Sequence, residues 1–105
     1  MTPQRGEIWW GESEEDKGRP FLVIARSEAI ESMQRVLVAP VTTTQRRSIR
    51  SELPLGPADG LRRECCATFD NIRPFPKALL VRRLGTLSPD RVHELCTVLN
   101  ATTGC

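Results

Sequence analysis

With 105 residues, 39% of them hydrophobic, the chain can build one modest core and not two, so residues 1–105 read as a single folded domain. No run approaches the roughly 20 apolar residues of a membrane-spanning helix. The first six residues lack the apolar stretch of a secretory signal, so no membrane association is expected and the cytoplasm is the expected compartment. The net charge of +2 is uneven, about −3 over residues 1–34 and +5 over residues 35–105, and thirteen of the fifteen basic residues are arginine. A guanidinium fork grips phosphate with two hydrogen bonds, so a polyanionic partner is permitted, though charge alone does not require one.

The chain then reads as short strands with frequent turns. Gly6–Gly11 holds Ile8-Trp9-Trp10 and reads as a first strand, followed by the acidic, wholly polar loop Gly11–Gly18. Phe21–Ala25 is long enough for a buried strand and too short for a helix. Ser27 is a good N-cap, and Glu28 and Glu31 suit the positive end of a brief helix reaching about Gln34. Val36–Val41 is the next strand, and Pro40 inside it suggests an edge or a bulge. Thr42–Arg50 reads as a basic loop or an exposed strand end. Ser51–Leu55 and Glu64–Asp70 are two further strands around the turn Gly56–Gly60. Pro74 and Pro76 make Ile72–Lys77 irregular. Periodicity leaves Leu79–Leu84 open between strand and helical turn.

At the C-terminus Ser88 is placed to cap, Pro89 takes the first helical position and Asp90 suits the helix dipole. Val92, Leu95, Cys96 and Leu99 follow on one face, so this helix must lie on something apolar. Five or six strands and one closing helix fit a small, partly closed β-barrel with a packed helix.

Familiar catalytic arrangements are mostly absent. There is no Gly-rich phosphate loop ahead of a lysine, no G-x-S-x-G and no H-E-x-x-H. The only histidine, His93, reads as a solvent-facing helix residue. Cys65, Cys66, Cys96 and Cys105 have neither C-x-x-C nor disulfide-framework spacing, and adjacent strand residues point to opposite faces, so no metal or other cofactor is expected. What remains is arginine and threonine at strand ends. Proline biases Arg19 towards extended geometry, and Thr42-Thr43-Thr44 follows a strand, with Arg46 and Arg47 beyond. Hydroxyl and guanidinium donors together suit the oxygens of a phosphodiester.

Five blocks of the sequence, in order, resemble the MazF/PemK toxins. Arg5-Gly6-Glu7-Ile8-Trp9 is similar to their R-G-[DE]-[IV]-[WY], and Arg19-Pro20-Phe21-Leu22-Val23 to their R-P-x-[LV]-[VI]. Val38 to Thr44 resembles the strand ending in P-[IV]-[ST]-[ST]. Asp70-Asn71-Ile72-Arg73 resembles D-[QN]-[IV]-[RK], and Gly85 to Pro89 the G-x-[LV]-[ST]-P that opens the last helix. Two departures stand out. The Gly11–Gly18 loop is shorter and more acidic than the family's, and Thr68 stands where some members carry a second functional arginine.

The resemblance implies a mainly β, SH3-like small barrel of the CcdB/Kid/MazF type, with a short helix and a C-terminal helix. It implies a homodimer that is neutralised by a cognate antitoxin and that cleaves single-stranded RNA at short sequences without a metal. The ribose 2′-hydroxyl is the implied nucleophile, leaving a 2′,3′-cyclic phosphate and a 5′-hydroxyl. The family's catalytic arginine and threonine fall on Arg19 and Thr42. RNA contacts are expected from Thr43, Thr44, Arg46, Arg47, Thr68, Asp70 and Asn71. The competing expectation is a barrel without catalysis, one that binds RNA or poisons gyrase as CcdB-type toxins do.

Overall fold

Backbone pairing in this chain converges on one long strand. The computed structural model describes residues 2–15, 17–43 and 51–104. Its strands are β1 (Glu7–Gly11), β2 (Arg19–Val23), β3 (Arg35–Thr42), β4 (Glu52–Leu55), β5 (Cys65–Thr68), β6 (Arg73–Pro76) and β7 (Leu80–Thr86). The helices are α1 (Ser27–Ile30) and α2 (Pro89–Thr103). The strands form one antiparallel sheet in the order β4-β5-β3-β2-β1-β7, with β6 also paired to β3. β3 therefore carries β2 along one edge and, along the other, β6 at its start and β5 at its end.

The sheet buries both faces. Ile8, Leu22, Ile24, Ala39, Val41 and Leu53 point into a core closed by Leu95 of α2, with Val92, Val98 and Leu99 packed against it. The alternate residues Trp9, Phe21, Val23, Val36 and Val38 form a second core with Phe75 and Ile30 of α1. Period-two alternation on shared strands explains the two clusters: each strand supplies one residue to each side in turn. The expected apolar face of α2 is the face that packs, and Leu95 at its centre is fully buried.

Four local expectations change. Pro40 lies within the most heavily paired strand, not at an edge. The Leu37 carbonyl accepts from the Ile24 N–H at 3.0 Å, so alternation turns the Pro40 nitrogen away from β2. It faces the gap where β3 passes from β6, last paired at Val38, to β5, first paired at Val41. No ladder bond is lost there. The same alternation makes residues 73–76 a strand where two prolines suggested irregularity. Pro74 and Pro76 oppose Leu37 and Arg35, so their nitrogens point to the open side of β6.

The third change concerns α1, which is four residues long and does not reach Gln34. Lys77 takes its last carbonyls, with Nζ donating to the Ile30 and Glu31 oxygens at 3.2 Å each, and the Gln34 carbonyl accepts from the Lys77 N–H at 2.8 Å. The N-cap is Arg26, while Ser27 Oγ accepts from the Arg5 N–H at 2.8 Å. Fourth, residues 69–71 leave the strand for a single 3-10 turn. Leu79–Leu84 resolves as mostly strand, and Ser88 occupies the α2 N-cap position without a side-chain capping bond.

Candidate functional site

Antiparallel register brings the two expected catalytic residues to one place. β2 and β3 pair Phe21 with Pro40, Leu22 with Ala39 and Val23 with Val38. Arg19 stands two residues before Phe21 and Thr42 two residues after Pro40, so continuing the register sets them opposite each other at the same end of adjacent strands. Each shares the parity of its paired neighbour and so the same face of the sheet. Both are half-buried, the exposure expected of side chains that must be fixed yet reachable.

Around this pair the sheet adds further polar groups. The Arg73 guanidinium stacks over the Phe21 ring at 5.5 Å from its centroid, on the face that Arg19 shares. Stacking of this kind holds a cation over an aromatic face without removing its outward donors. Thr42 pairs with Cys66 of β5, and its Oγ1 lies 3.9 Å from the Cys66 Sγ. Burial pushes the Cys66 thiol up from its ordinary value. The Thr42 and Thr68 hydroxyls act in the other direction, and the Glu52 carboxylate adds to the rise. A neutral thiol therefore sits beneath the threonine.

A cavity of about 490 Å³ opens beside Thr42 and Thr43. Trp10 and Leu61 line it together with the arginines 62, 63 and 82. The Trp10 indole lies against Gly18, whose φ is +107°, and a Cβ at that position would come within 2.7 Å of the ring. Trp10 Nε1 donates to the Glu12 carboxylate at 2.9 Å. The ends of the shortened acidic loop thus fix the indole at the cavity wall.

Comparison with known proteins decides the family. The model of the PemK-like, MazF-like toxins of type II toxin–antitoxin systems matches residues 4–102. The chain belongs to this family. It is 40% identical over 104 residues to a probable endoribonuclease MazF5 of Mycobacterium tuberculosis, covering 98% of this chain and 94% of the relative. A probable endoribonuclease MazF2 of the same species is 38% identical over 103 residues, covering 97% and 99%. Among solved structures, the M. tuberculosis toxin MazF-mt6 superposes with a TM-score of 0.84 at 28% identity, covering 93% of this chain and 96% of that one. A mycobacterial endoribonuclease in complex with its cognate antitoxin gives 0.82 at 26% identity, covering 97% and 95%. The mainly β, barrel-like fold is thus that of the MazF-like toxins.

Within this MazF-like chain the other expected RNA contacts scatter. Thr43 is exposed beside Thr42 and lines the cavity, and Thr68 ends β5 opposite Glu52. Asp70 and Asn71 are exposed on the 3-10 turn, where the Asp70 carboxylate accepts from the Ser51 hydroxyl at 2.6 Å. Asp70 therefore has a structural bond of its own. Thr44, Arg46 and Arg47 lie outside the described residues. Sequence reading missed Arg73, Cys66 and Trp10 as neighbours of the site. Arg73 stood inside a quoted family block, whereas nothing local in the sequence marked the other two.

Proposed function

We propose that this chain is the toxin of a toxin–antitoxin pair, and that it acts in the cytoplasm as a sequence-specific, metal-independent endoribonuclease on single-stranded RNA. The observation that carries the reading is the placement of Arg19 opposite Thr42 at the ends of β2 and β3, in a chain of the MazF-like family. Curated relatives named as endoribonucleases supply the reaction class, and the related structure solved with its cognate antitoxin supplies the partner class.

The chemistry follows from the residue types. The 2′-oxygen loses its proton to water and bonds to phosphorus, while the bond to the 5′-oxygen breaks and that oxygen takes up a proton. The products are a 2′,3′-cyclic phosphate and a 5′-hydroxyl. Negative charge grows on the non-bridging oxygens, where the Arg19 fork can hold two at once and the Thr42 hydroxyl can donate to one. Arg73 adds a second fixed cation on the same face. Without a histidine pair to exchange protons, electrostatic stabilisation supplies most of the rate, and a slow enzyme is expected.

The test is single-turnover cleavage of a defined RNA in excess EDTA, with product ends mapped and circular dichroism recorded for each variant. Losing one transition-state donor costs about 2.7–4 kcal/mol, a hundred- to thousandfold in rate. Arg19→Ala should lose at least that much and Thr42→Ala somewhat less. Arg19→Lys keeps the charge but not the fork, so it should lose most of the activity as well. Near-normal cutting by folded Arg19→Ala, or wild-type activity abolished by chelation, would overturn the mechanism. RNA binding without cleavage would point to the non-catalytic barrel.

A further inference from the structure

The cavity beside Thr42 has a chemistry that the cleavage mechanism does not use. Its floor and walls are apolar, from Leu61, Leu84 and the Trp10 indole. Its mouth carries Arg62, Arg63 and Arg82, all exposed and without an ion pair or hydrogen bond among the described residues. Other arginines of the chain are committed to the fold. Arg83 pairs with Glu7 at 3.1 Å, Arg91 bridges Asp59 at 3.5 Å, and Arg5 donates to the Ile24 carbonyl at 3.0 Å. Among the described residues no acidic side chain lines the cavity. An apolar slot rimmed by three uncommitted cations fits a ligand with a flat apolar body and an anionic edge.

Strand pairing fixes how such a ligand would lie. Trp10 of β1 is paired with Pro20 on one side and Arg82 on the other. Pro20, which follows Arg19, and Thr42 and Thr43 all line the cavity, so the slot adjoins the ends of β2 and β3 that carry the cleavage pair. We propose that this cavity is a nucleobase subsite for a nucleotide flanking the cleaved phosphodiester. Its base stacks on Trp10, while Arg62, Arg63 and Arg82 hold the neighbouring phosphates. The proposal rests on the endoribonuclease reading and adds to it a specificity-determining residue. Trp10 holds the base by stacking and favours the bases that stack most strongly, and the arginines set affinity without reading sequence.

The experiment maps cut sites on a pool of RNAs with randomised sequence and, in parallel, measures binding of a labelled seven-nucleotide RNA by anisotropy across salt concentrations. Wild type, Trp10→Ala, Trp10→Phe, Arg62→Ala/Arg63→Ala and Arg19→Ala are compared, each checked for fold by circular dichroism. Trp10→Ala should weaken binding about five- to 150-fold, the range for loss of one base–aromatic stack, and blur the base preference at one flanking position. Trp10→Phe should restore much of both, which a purely structural role would not require. Arg62→Ala/Arg63→Ala should weaken all sequences alike and reduce the salt slope by about 0.7 for each phosphate contact removed. Wild-type cutting with an unchanged site preference in Trp10→Ala overturns the subsite and leaves the nuclease standing. Wild-type binding that needs Trp10 but yields no cut products supports the subsite and removes the nuclease. RNA binding unaltered in both Trp10→Ala and Arg62→Ala/Arg63→Ala would overturn the proposal.

Discussion

Glu7 is 7% exposed, yet its carboxylate accepts from the Gln4 N–H at 2.8 Å, from Trp9 Nε1 at 3.0 Å and from Arg83 at 3.1 Å. Three donors make a buried carboxylate tolerable, and removing it leaves the Trp9 indole N–H buried without a partner. Glu7→Ala should therefore cost about 1–3 kcal/mol or more, read as a lower urea midpoint. The two strand thiols give a prediction in pH. Burial raises Cys65, with Cys66 and Asp59 adding to the rise, and burial likewise raises Cys66. A raised folded value means that the folded state holds those protons after the unfolded chain has released them. Their stabilisation is complete below the ordinary thiol value of 9.0 and is lost as pH climbs through the raised values. The urea midpoint should fall above about pH 9, and Cys65→Ala/Cys66→Ala should flatten that limb although its overall level drops. At this scale the proposed pair, Arg19 and Thr42, could be singled out because each stands beside a local marker, a proline or a run of hydroxyls. Cys66 and Trp10 were not, because their meaning comes from register between strands far apart in sequence.

At the scale of elements, strand alternation and the apolar face of α2 were visible in the residues, and the limits of both came from tertiary pairing. Proline read locally signals irregularity, but β6 accommodates Pro74 and Pro76 because their nitrogens face its open side. The helix expected to reach Gln34 stops early because that residue joins a hydrogen bond to Lys77. One contact between elements is tight enough to predict from. The turn at Pro57–Asp59 packs against β7 so closely that a Cβ on Gly85 would lie 1.9 Å from the Asp59 carbonyl oxygen. Gly60 follows with a φ of +101°, and a Cβ there would meet the Leu84 carbonyl at 2.5 Å. Arg91 of α2 fastens the same turn, bonding the Pro54 carbonyl and pairing with Asp59 and Glu94. Backbone cannot retreat as a flexible side chain can, so Gly85→Ala should destabilise by at least about 1–3 kcal/mol. The turn also leads into Leu61, Arg62 and Arg63 of the cavity. Thermal denaturation with parallel RNA binding should show a lower Tm and weaker binding together. A normal Tm would mean that the two segments separate freely.

At the scale of the molecule, the strand order leaves β4 and β7 as the outer strands of the path. Natural edges avoid indiscriminate pairing by carrying proline or charge, and here β4 has Pro54 while β7 has Arg82 and Arg83. Apolar side chains nevertheless remain in solvent, with Val81 at 55%, Leu37 at 40% and Met33 at 37% exposure. A two-fold dimer, which the family resemblance implies, gives such groups a surface to cover. A specific interface removes roughly 800 Å² from each partner, about one-eighth of the 6619 Å² that one chain exposes. That is a modest fraction for a chain with one small helix-covered barrel, and it would bury apolar area that the single chain cannot. The expected outcome at micromolar concentration is a light-scattering mass near twice the 11.8 kDa of one chain. Small-angle scattering should agree, giving a radius of gyration well above the 12.6 Å of the single chain's Cα atoms. Dilution should then lower the mass and the RNA-cleaving activity over the same concentration range if the dimer is the active form. A mass of one chain throughout, with full cleavage activity, would show that the barrel works alone.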